Sequence, residues 1–166
     1  FEKIYKSALK LRVAIDNSLD EGVIDQKLNA NEEIFDIEVF LKDFTSSLSQ
    51  KYSEKITIEK SIDDEDLPRI KCDKLVIQES LKKILSSIFK IDFECKILIR
   101  VMSDHMDQMV LVFIITSKLG NLGLETKIDE SSIGRILDQQ NCRFEVVESK
   151  DNVAVLIIPS YRLVKI

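Results

Sequence analysis

Apolar residues recur with the period of a helix between positions 73 and 90. They stand at steps of four, three, one and three, so one stripe of the segment can face a core; they are Ile77, Leu81, Ile84, Leu85 and Ile88. Asp73 stands just before the stripe, where its carboxylate can accept hydrogen bonds from the first turn. The pattern therefore predicts a helix over 73–90, around which we expect the rest of the chain to be organised.

The same segment has a second, polar face. Lys83, Ser87 and Lys90 follow one another at steps of four and three, which places them on one side of the helix. Two interpretations of this face stay open at this point. It is either a solvated surface or a surface on which the two ammonium groups hold phosphate.

Shorter patterns predict the remaining elements. Helical periodicity predicts a helix over 37–52, with Asp36 as its N-cap, and another over 131–140. Apolar runs and alternating positions predict strands over 56–60, 96–103, 109–116, 143–149 and 153–158, with a short edge strand near Ile34 and Phe35. Helices mixed with hairpins in this order indicate an α+β fold, a two-layer α/β sandwich with helices on one face of a mixed sheet.

A narrow apolar seam marks residues 3–19. Its members recur at steps of four, three, four and four: Ile4, Ala8, Leu11, Ile15 and Leu19. Such a seam is typical of a bundle-type or coiled-coil helix, which cannot bury its apolar side chains alone. The helix either packs on its own domain or pairs with another helix or a second copy. A polar connector follows over 20–31, so we expect two domains, covering 1–30 and 31–166.

We expect the chain to form a homodimer through this N-terminal seam, because pairing would bury the five apolar side chains. Sedimentation at high protein concentration measures the association directly. A monomer whose residues 1–19 are ordered on the domain surface would contradict the prediction.

Composition and charge narrow the classes of function. The 166 residues are 45% apolar and carry a net charge of −5 without a basic tract, which gives a nucleic-acid role little support. The longest apolar run, 109–115, is too short to span a bilayer, and no signal peptide is visible. We therefore expect no membrane contact within this segment. The acidic cluster at 63–66 lacks ligand spacing and predicts a solvated turn rather than a metal site.

The first residue and the cysteines indicate whether the sequence is part of a longer protein and in which redox compartment it occurs. Phe1 rather than Met at the first position favours a piece of a longer protein. Cys72, Cys95 and Cys142 are odd in number and form no C-x-x-C motif, which favours reduced thiols and a cytoplasmic location.

The segment 73–90, with Lys83, Ser87 and Lys90 on one face, resembles the main ATP-site helix of sensor histidine kinases. LKLRVAIDNSLDEGVI at 9–24 is similar to their second dimerisation helix and the linker after it. The order of elements from Leu9 to Pro159 resembles their catalytic and ATP-binding domain, whose ATPase fold is shared with DNA gyrase, a heat-shock chaperone family and MutL. The resemblance implies a two-component signalling protein and the fold described above.

The resemblance also shows where this chain departs from the family. The family has asparagines at the positions of Lys83 and Ser87, the second of which ligates magnesium, and Lys90 matches its phosphate-facing lysine. An ammonium group has no lone pair for a cation, and a serine hydroxyl is a shorter and poorer ligand than an amide. In place of the adenine-reading D-x-G-x-G motif stands TSKLG, with Thr116 at the aspartate position and Gly120 as the retained glycine.

The glycine-rich box of the family's lid is altered as well. Its place falls on KIDE at 127–130, which offers no glycine for a phosphate cradle. Asn141 and Cys142 replace two glycines before the closing hairpin. The lone histidine, His105, falls in a polar turn, where we expect a surface residue, and the family's phospho-accepting histidine lies on a helix that this sequence does not include.

Because three nucleotide motifs are altered together, we expect no bound cofactor and no Mg-ATP. The segment is then a degenerate histidine-kinase ATPase-fold module without catalysis of its own, although its parent chain could be a histidine kinase. It would act by protein interaction or conformational relay, with a response regulator or a kinase as possible partner. Two alternatives stay open: a divergent kinase that holds phosphates through Lys83 and Lys90, and a phosphotransfer adaptor whose active histidine lies upstream of Phe1.

Overall fold

A computed structural model describes residues 31–61, 67–103 and 107–164 of the chain. The predicted N-terminal domain 1–30 with its apolar seam, the acidic cluster at 63–66 and His105 lie outside the described residues. The division into 1–30 and 31–166 stays a prediction. The residues from Glu33 onward form one compact unit.

The described elements follow the predicted order closely. In chain order they are β1 (Glu32–Phe35), α1 (Ile37–Ser47), α2 (Gln50–Ser53), β2 (Ile56–Lys60), β3 (Arg69–Asp73), α3 (Lys74–Ile91), β4 (Lys96–Ser103), β5 (Met109–Thr116), α4 (Leu124–Lys127), α5 (Glu130–Asp138), β6 (Arg143–Val147), β7 (Asn152–Ile158), a 3-10 turn (Ser160–Arg162) and β8 (Leu163–Val164).

The long helix α3 lies where the apolar stripe predicted it. Asp73 caps it by accepting a hydrogen bond of 2.9 Å from the Leu75 amide. Every member of the stripe is buried, and Leu81 and Ile84 have no exposed surface. Ser80 is buried as well, although the apolar stripe did not include it. Its hydroxyl donates a hydrogen bond to the Val76 carbonyl, so the buried polar group has a partner.

The predicted helix over 37–52 is divided in two. The α1 helix ends at Ser47, Leu48 takes extended backbone angles, and α2 restarts after Ser49. The side chains of Thr45, Ser46 and Ser47 donate hydrogen bonds back to carbonyls three or four residues earlier. Such side chains compete with the backbone for helical hydrogen bonds, which gives a physical reason for the early end.

Within the described residues the strands form two sheets. The larger has the order β2-β4-β5-β7-β6, with β2 parallel to β4 and the other pairs antiparallel, so it is mixed as predicted. A smaller sheet, β8-β3-β1, contains the strand β3 that the sequence patterns missed. Ile70 and Cys72 point from β3 into the core while Arg69 and Lys71 are exposed, so the alternation was present but short.

The core lies between the helices and one face of the larger sheet. Along β4, β5 and β7, buried residues alternate with half-buried ones, as expected for a sheet covered on one face. The buried side includes Ile99, Phe113 and Leu156, which pack with Leu81 and Ile84 of α3 in one cluster. The α+β two-layer sandwich is therefore confirmed.

The three cysteines are buried free thiols. Burial, with smaller electrostatic contributions, raises the pKa of Cys95 to about 11. A hydrogen bond with Cys72, together with burial, raises the pKa of Cys142. Raised pKa values keep both groups protonated and poorly nucleophilic, as expected of structural thiols. Within the described ranges no helix is both long and apolar enough to cross a bilayer.

Candidate functional site

Lys83 joins α3 to the first turn of α5. Its Nζ donates a hydrogen bond of 2.6 Å to the Oγ of Ser132. This contact links two residues that are 49 positions apart in the chain. An ammonium group therefore occupies the space between the two helices, where it repels a cation and offers no lone pair to one.

Ser87 and Lys90 continue the same face of α3 toward its C-terminal end. Ser87 is half-buried, whereas Lys90 is exposed and lies along a groove between α3 and the α1–α2 segment. Among the residues that the structure describes, no hydrogen bond or ion pair joins either side chain to α5. The three residues share a helix face as predicted, but Lys83 makes the contact with α5.

The turn after β5 holds Thr116 and Gly120. Ser117, between them, donates from its Oγ to the Oδ2 of Asp92 at the C-cap of α3, over 2.5 Å. Gly120 has φ +79, which a residue with a side chain rarely adopts, so glycine suits this position for backbone reasons alone. Thr116 is exposed at the strand end. Within the described ranges no hydrogen bond joins Thr116 or Gly120 directly to the polar face of α3.

Asn152 fixes the far side of this turn. Its Oδ1 accepts a hydrogen bond from the Leu122 amide and its Nδ2 donates one to the Gly120 carbonyl, each of 2.8 Å. The Asn152 side chain is buried at the start of β7; its hydrogen bond with the Leu122 amide is buried, whereas the one to the Gly120 carbonyl is partly exposed. Asp92 and Asn152 therefore hold the turn from two sides.

The positions of the predicted lid box form the connection into α5. Lys127 ends α4, Ile128 is buried and Glu130 begins α5. Asp129 is the N-cap of α5, and its Oδ1 accepts hydrogen bonds from the Ser131 hydroxyl and the Ser132 amide.

Those hydrogen bonds, chiefly the one from Ser131, lower the pKa of the Asp129 carboxyl. The group is thus anionic at neutral pH, at the helix end that would otherwise favour a phosphate. The first turn of α5 thus has the Asp129 carboxylate on the Ser132 amide, and the Lys83 ammonium, which contacts the Ser132 hydroxyl, also lowers the pKa of Asp129.

The other replaced glycines lie at the end of α5. Asn141 has φ +57, in the left-handed region where glycine and asparagine are the usual residues. The Cys142 amide donates to the Leu137 carbonyl over 3.0 Å, which closes the helix. Asparagine thus serves the backbone conformation that a glycine would serve, while Cys142 is buried in the core.

Sequence patterns singled out Lys83, Ser87, Lys90, Thr116 and Gly120 but missed Ser132, which contacts Lys83, and Asp92 and Asn152, which hold the turn after β5. Ser132, Asp92 and Asn152 carry no local signal, because their partners lie 49, 25 and 30 or more positions away in the chain. In the described ranges no group of three or more His, Cys, Asp or Glu residues could hold a metal ion.

Comparison of the fold with solved structures gives a consistent result. The catalytic domain of the histidine kinase ThkA matches with a TM-score of 0.55 at 16% identity, covering 78% of this chain and 95% of that domain. Histidine kinase AdeS of Acinetobacter baumannii matches with a TM-score of 0.54 at 13% identity, covering 96% of this chain and 86% of AdeS.

A third match comes from a complex. Histidine kinase ThkA in complex with the response regulator protein TrrA has a TM-score of 0.55 at 18% identity, with 78% of this chain and 42% of the kinase covered. No family model matches the sequence, and no curated protein matches it either. At these identities the likeness shows the fold, and it confirms the resemblance at that level: the chain has the fold of a histidine-kinase catalytic domain.

Proposed function

We propose that this chain is a degenerate histidine-kinase ATPase-fold module that takes part in two-component signalling without binding Mg-ATP. The hydrogen bond from Lys83 to Ser132 carries this proposal. It fixes a positive charge at the position of a metal-assisting amide in the resembled family. The module would then act through protein contact or by relaying a conformational change, and not by catalysis.

Two further features support the proposal. Asp129 supplies its own carboxylate to the start of α5, which disfavours phosphate there. Thr116 stands exposed at the end of β5, where a neutral hydroxyl cannot act as the charged acceptor for an adenine amino group. Metal, phosphate and adenine contacts would therefore be weakened together.

The same fold occurs in a kinase that was solved with a response regulator protein. A response regulator or a kinase is therefore our proposed class of partner, and a homodimer formed through the N-terminal seam is our proposed assembly. Sedimentation of the full-length protein, alone and with a candidate partner, tests both.

Mg-ATP at millimolar concentration is expected to leave the melting temperature unchanged. A nucleotide present at a hundred times its dissociation constant would stabilise the folded state by about 2.7 kcal/mol, a shift of several degrees at this size. Differential scanning fluorimetry and calorimetry, with and without magnesium, measure this directly. A magnesium-dependent shift in the unmodified protein would overturn the proposal.

Variants that each restore one residue of the resembled family test the proposal further. Lys83→Asn or Thr116→Asp alone is expected to leave the melting temperature insensitive to Mg-ATP, because adenine, metal and phosphate contacts act together. A magnesium-independent shift that weakens with salt and disappears in Lys83→Ala would instead favour the divergent nucleotide-using kinase.

A further inference from the structure

A groove of about 390 Å³ runs between α3 and the α1–α2 segment. Phe44, Leu48 and Tyr52 form one wall. Residues of α3 and its C-terminal extension form the other: Lys82, Leu85, Ser86, Phe89, Lys90 and Phe93. Within α3 this wall extends from Lys82 to Lys90, which is about 12 Å or just over two helical turns, and Phe93 extends it beyond the end of the helix.

Aromatic rings form one end of the groove. The centroid of the Tyr52 ring lies 5.4 Å from that of Phe89 and 5.7 Å from that of Phe93. Phe93 remains 41% exposed, although the ammonium group of Lys55 lies 3.5 Å from its ring centroid. A large aromatic side chain at the mouth of an apolar groove is a feature of surfaces that receive a partner.

Two lysine side chains line the α3 wall of the groove. Lys82 and Lys90 are eight residues apart, which corresponds to about 12 Å along the helix. Lys82 is paired with Glu79 over 3.3 Å, but both side chains are half exposed, and such a pair is weak enough to exchange. Within the described residues Lys90 forms no ion pair. This local positive charge contrasts with the net charge of −5 for the whole chain.

We propose that the groove is a docking site for an amphipathic, acidic helix of a partner protein. Two to three turns of such a helix would cover the α3 wall and Phe93, and its apolar face would pack against the aromatic and leucine side chains. Two acidic residues about two turns apart would meet Lys82 and Lys90. Lys82 and Lys90 are about 12 Å apart along the helix, a spacing that two carboxylates two turns apart match better than the single headgroup of a fatty acid does.

This inference deepens the proposed function, because it rests on the idea that the module acts by protein contact and specifies the contact. Its test involves no nucleotide, and the Mg-ATP test uses the unmodified protein; the groove shares Lys90 with the candidate nucleotide-site positions but is lined by neither Lys83 nor Thr116. Binding of Mg-ATP could therefore refute the proposed function without affecting the groove, and the groove could fail while nucleotide binding remains absent.

A designed peptide tests the site on the full chain. The probe is a fluorescein-labelled sixteen-residue helix with leucines at its fifth, eighth, ninth and twelfth positions and glutamates at its fourth and eleventh. Its counterpart has lysines in place of the two glutamates. Fluorescence anisotropy is expected to show binding at least about ten times tighter for the glutamate peptide, with an affinity that falls as salt rises.

Variants locate the binding. The double substitution Lys82→Glu with Lys90→Glu is expected to raise the dissociation constant of the glutamate peptide at least about ten-fold. The matched control is Lys96→Glu with Lys150→Glu, which makes the same change in net charge at exposed residues outside the groove and should alter binding less than about two-fold.

A steric variant covers the case in which charge reversal disturbs folding. Ser86 is exposed on the α3 wall, so Ser86→Trp should fill the groove without removing a core side chain and should abolish peptide binding. Equal affinity for the two peptides, or unchanged binding to both the charge-reversed and the Ser86→Trp proteins, would overturn the proposal. Binding of dodecanoate but not of the glutamate peptide would also overturn it, in favour of a lipid ligand.

Discussion

Replacing Leu81 or Ile84 with alanine is expected to lower the free energy of unfolding by about 2–5 kcal/mol. Both side chains have no exposed surface and belong to the cluster between α3 and the sheet. Truncation removes apolar contacts and leaves a cavity that close-packed neighbours fill only in part. Urea or thermal unfolding of each variant measures the loss.

A matched control lies on the same helix. Leu75 is 53% exposed in the first turn of α3, so Leu75→Ala makes the same chemical change as Leu81→Ala outside the core. We expect a change of at most about 0.5 kcal/mol there. If Leu81→Ala and Ile84→Ala both cost less than about 0.5 kcal/mol, the packing of α3 described above would be wrong.

The success of the sequence patterns at α3 has a physical basis. The apolar stripe fixes which face is buried, and Asp73 fixes where the helix begins, so both signals are contained in a short stretch. The strands over 56–60, 96–103 and 109–116 were predicted with the same bounds that the structure gives, because long apolar runs between polar turns leave few alternatives.

Patterns failed where competing local interactions or distant partners decide the structure. The hydroxyls of Thr45, Ser46 and Ser47 give a physical reason why α1 ends early, yet serine and threonine also occur inside helices. The strand β3 spans five residues after Pro68, and it pairs with Leu163 and Val164 almost a hundred positions later. The alternation in β3 is short, and nothing local to either segment indicates a partner at that separation.

In the candidate site, too, the local features were predicted and the long-range contacts were missed. Lys83, Ser87 and Lys90 were placed on one helix face because helical spacing is regular, and Gly120 was placed by a motif. What holds the site is long-range, since Lys83 contacts Ser132 through tertiary packing alone. Residue types at motif positions therefore suggested the hypothesis of a lost Mg-ATP site, while the surrounding fold shows which contact Lys83 makes.

The candidate nucleotide site and the proposed docking groove both include residues of helix α3. Its Lys83 side contacts α5, and its Leu85 and Phe89 side lines the groove. A helix packed against the sheet through its buried stripe can present these two faces without moving. Substitutions at Lys83 on one side and at Ser86 on the other therefore test the proposed loss of Mg-ATP binding and the proposed docking groove separately.

Asn152→Ala is expected to lower the free energy of unfolding by about 2–3 kcal/mol. The buried amide accepts from the Leu122 amide and donates to the Gly120 carbonyl, so its removal leaves two backbone groups without their partner. The cost comes chiefly from the buried Leu122 amide, because an unsatisfied buried group has lost its contact with water, whereas Gly120 is exposed and its carbonyl is partly open to water. Chemical unfolding measures the loss, and faster hydrogen exchange at the Leu122 amide should accompany it.

Asn121→Ala is the matched control for this prediction. Asn121 is in the same turn and accepts a hydrogen bond of 2.8 Å from the Gly123 amide, but its side chain is exposed. Water can replace the lost acceptor there, so we expect a cost below about 1 kcal/mol and no faster exchange at Leu122. Equal losses in the two variants would mean that burial at Asn152 does not hold the turn. A larger loss at Asn152, with local exchange confined to the turn, would show that this amide supports the region around Thr116 and Gly120.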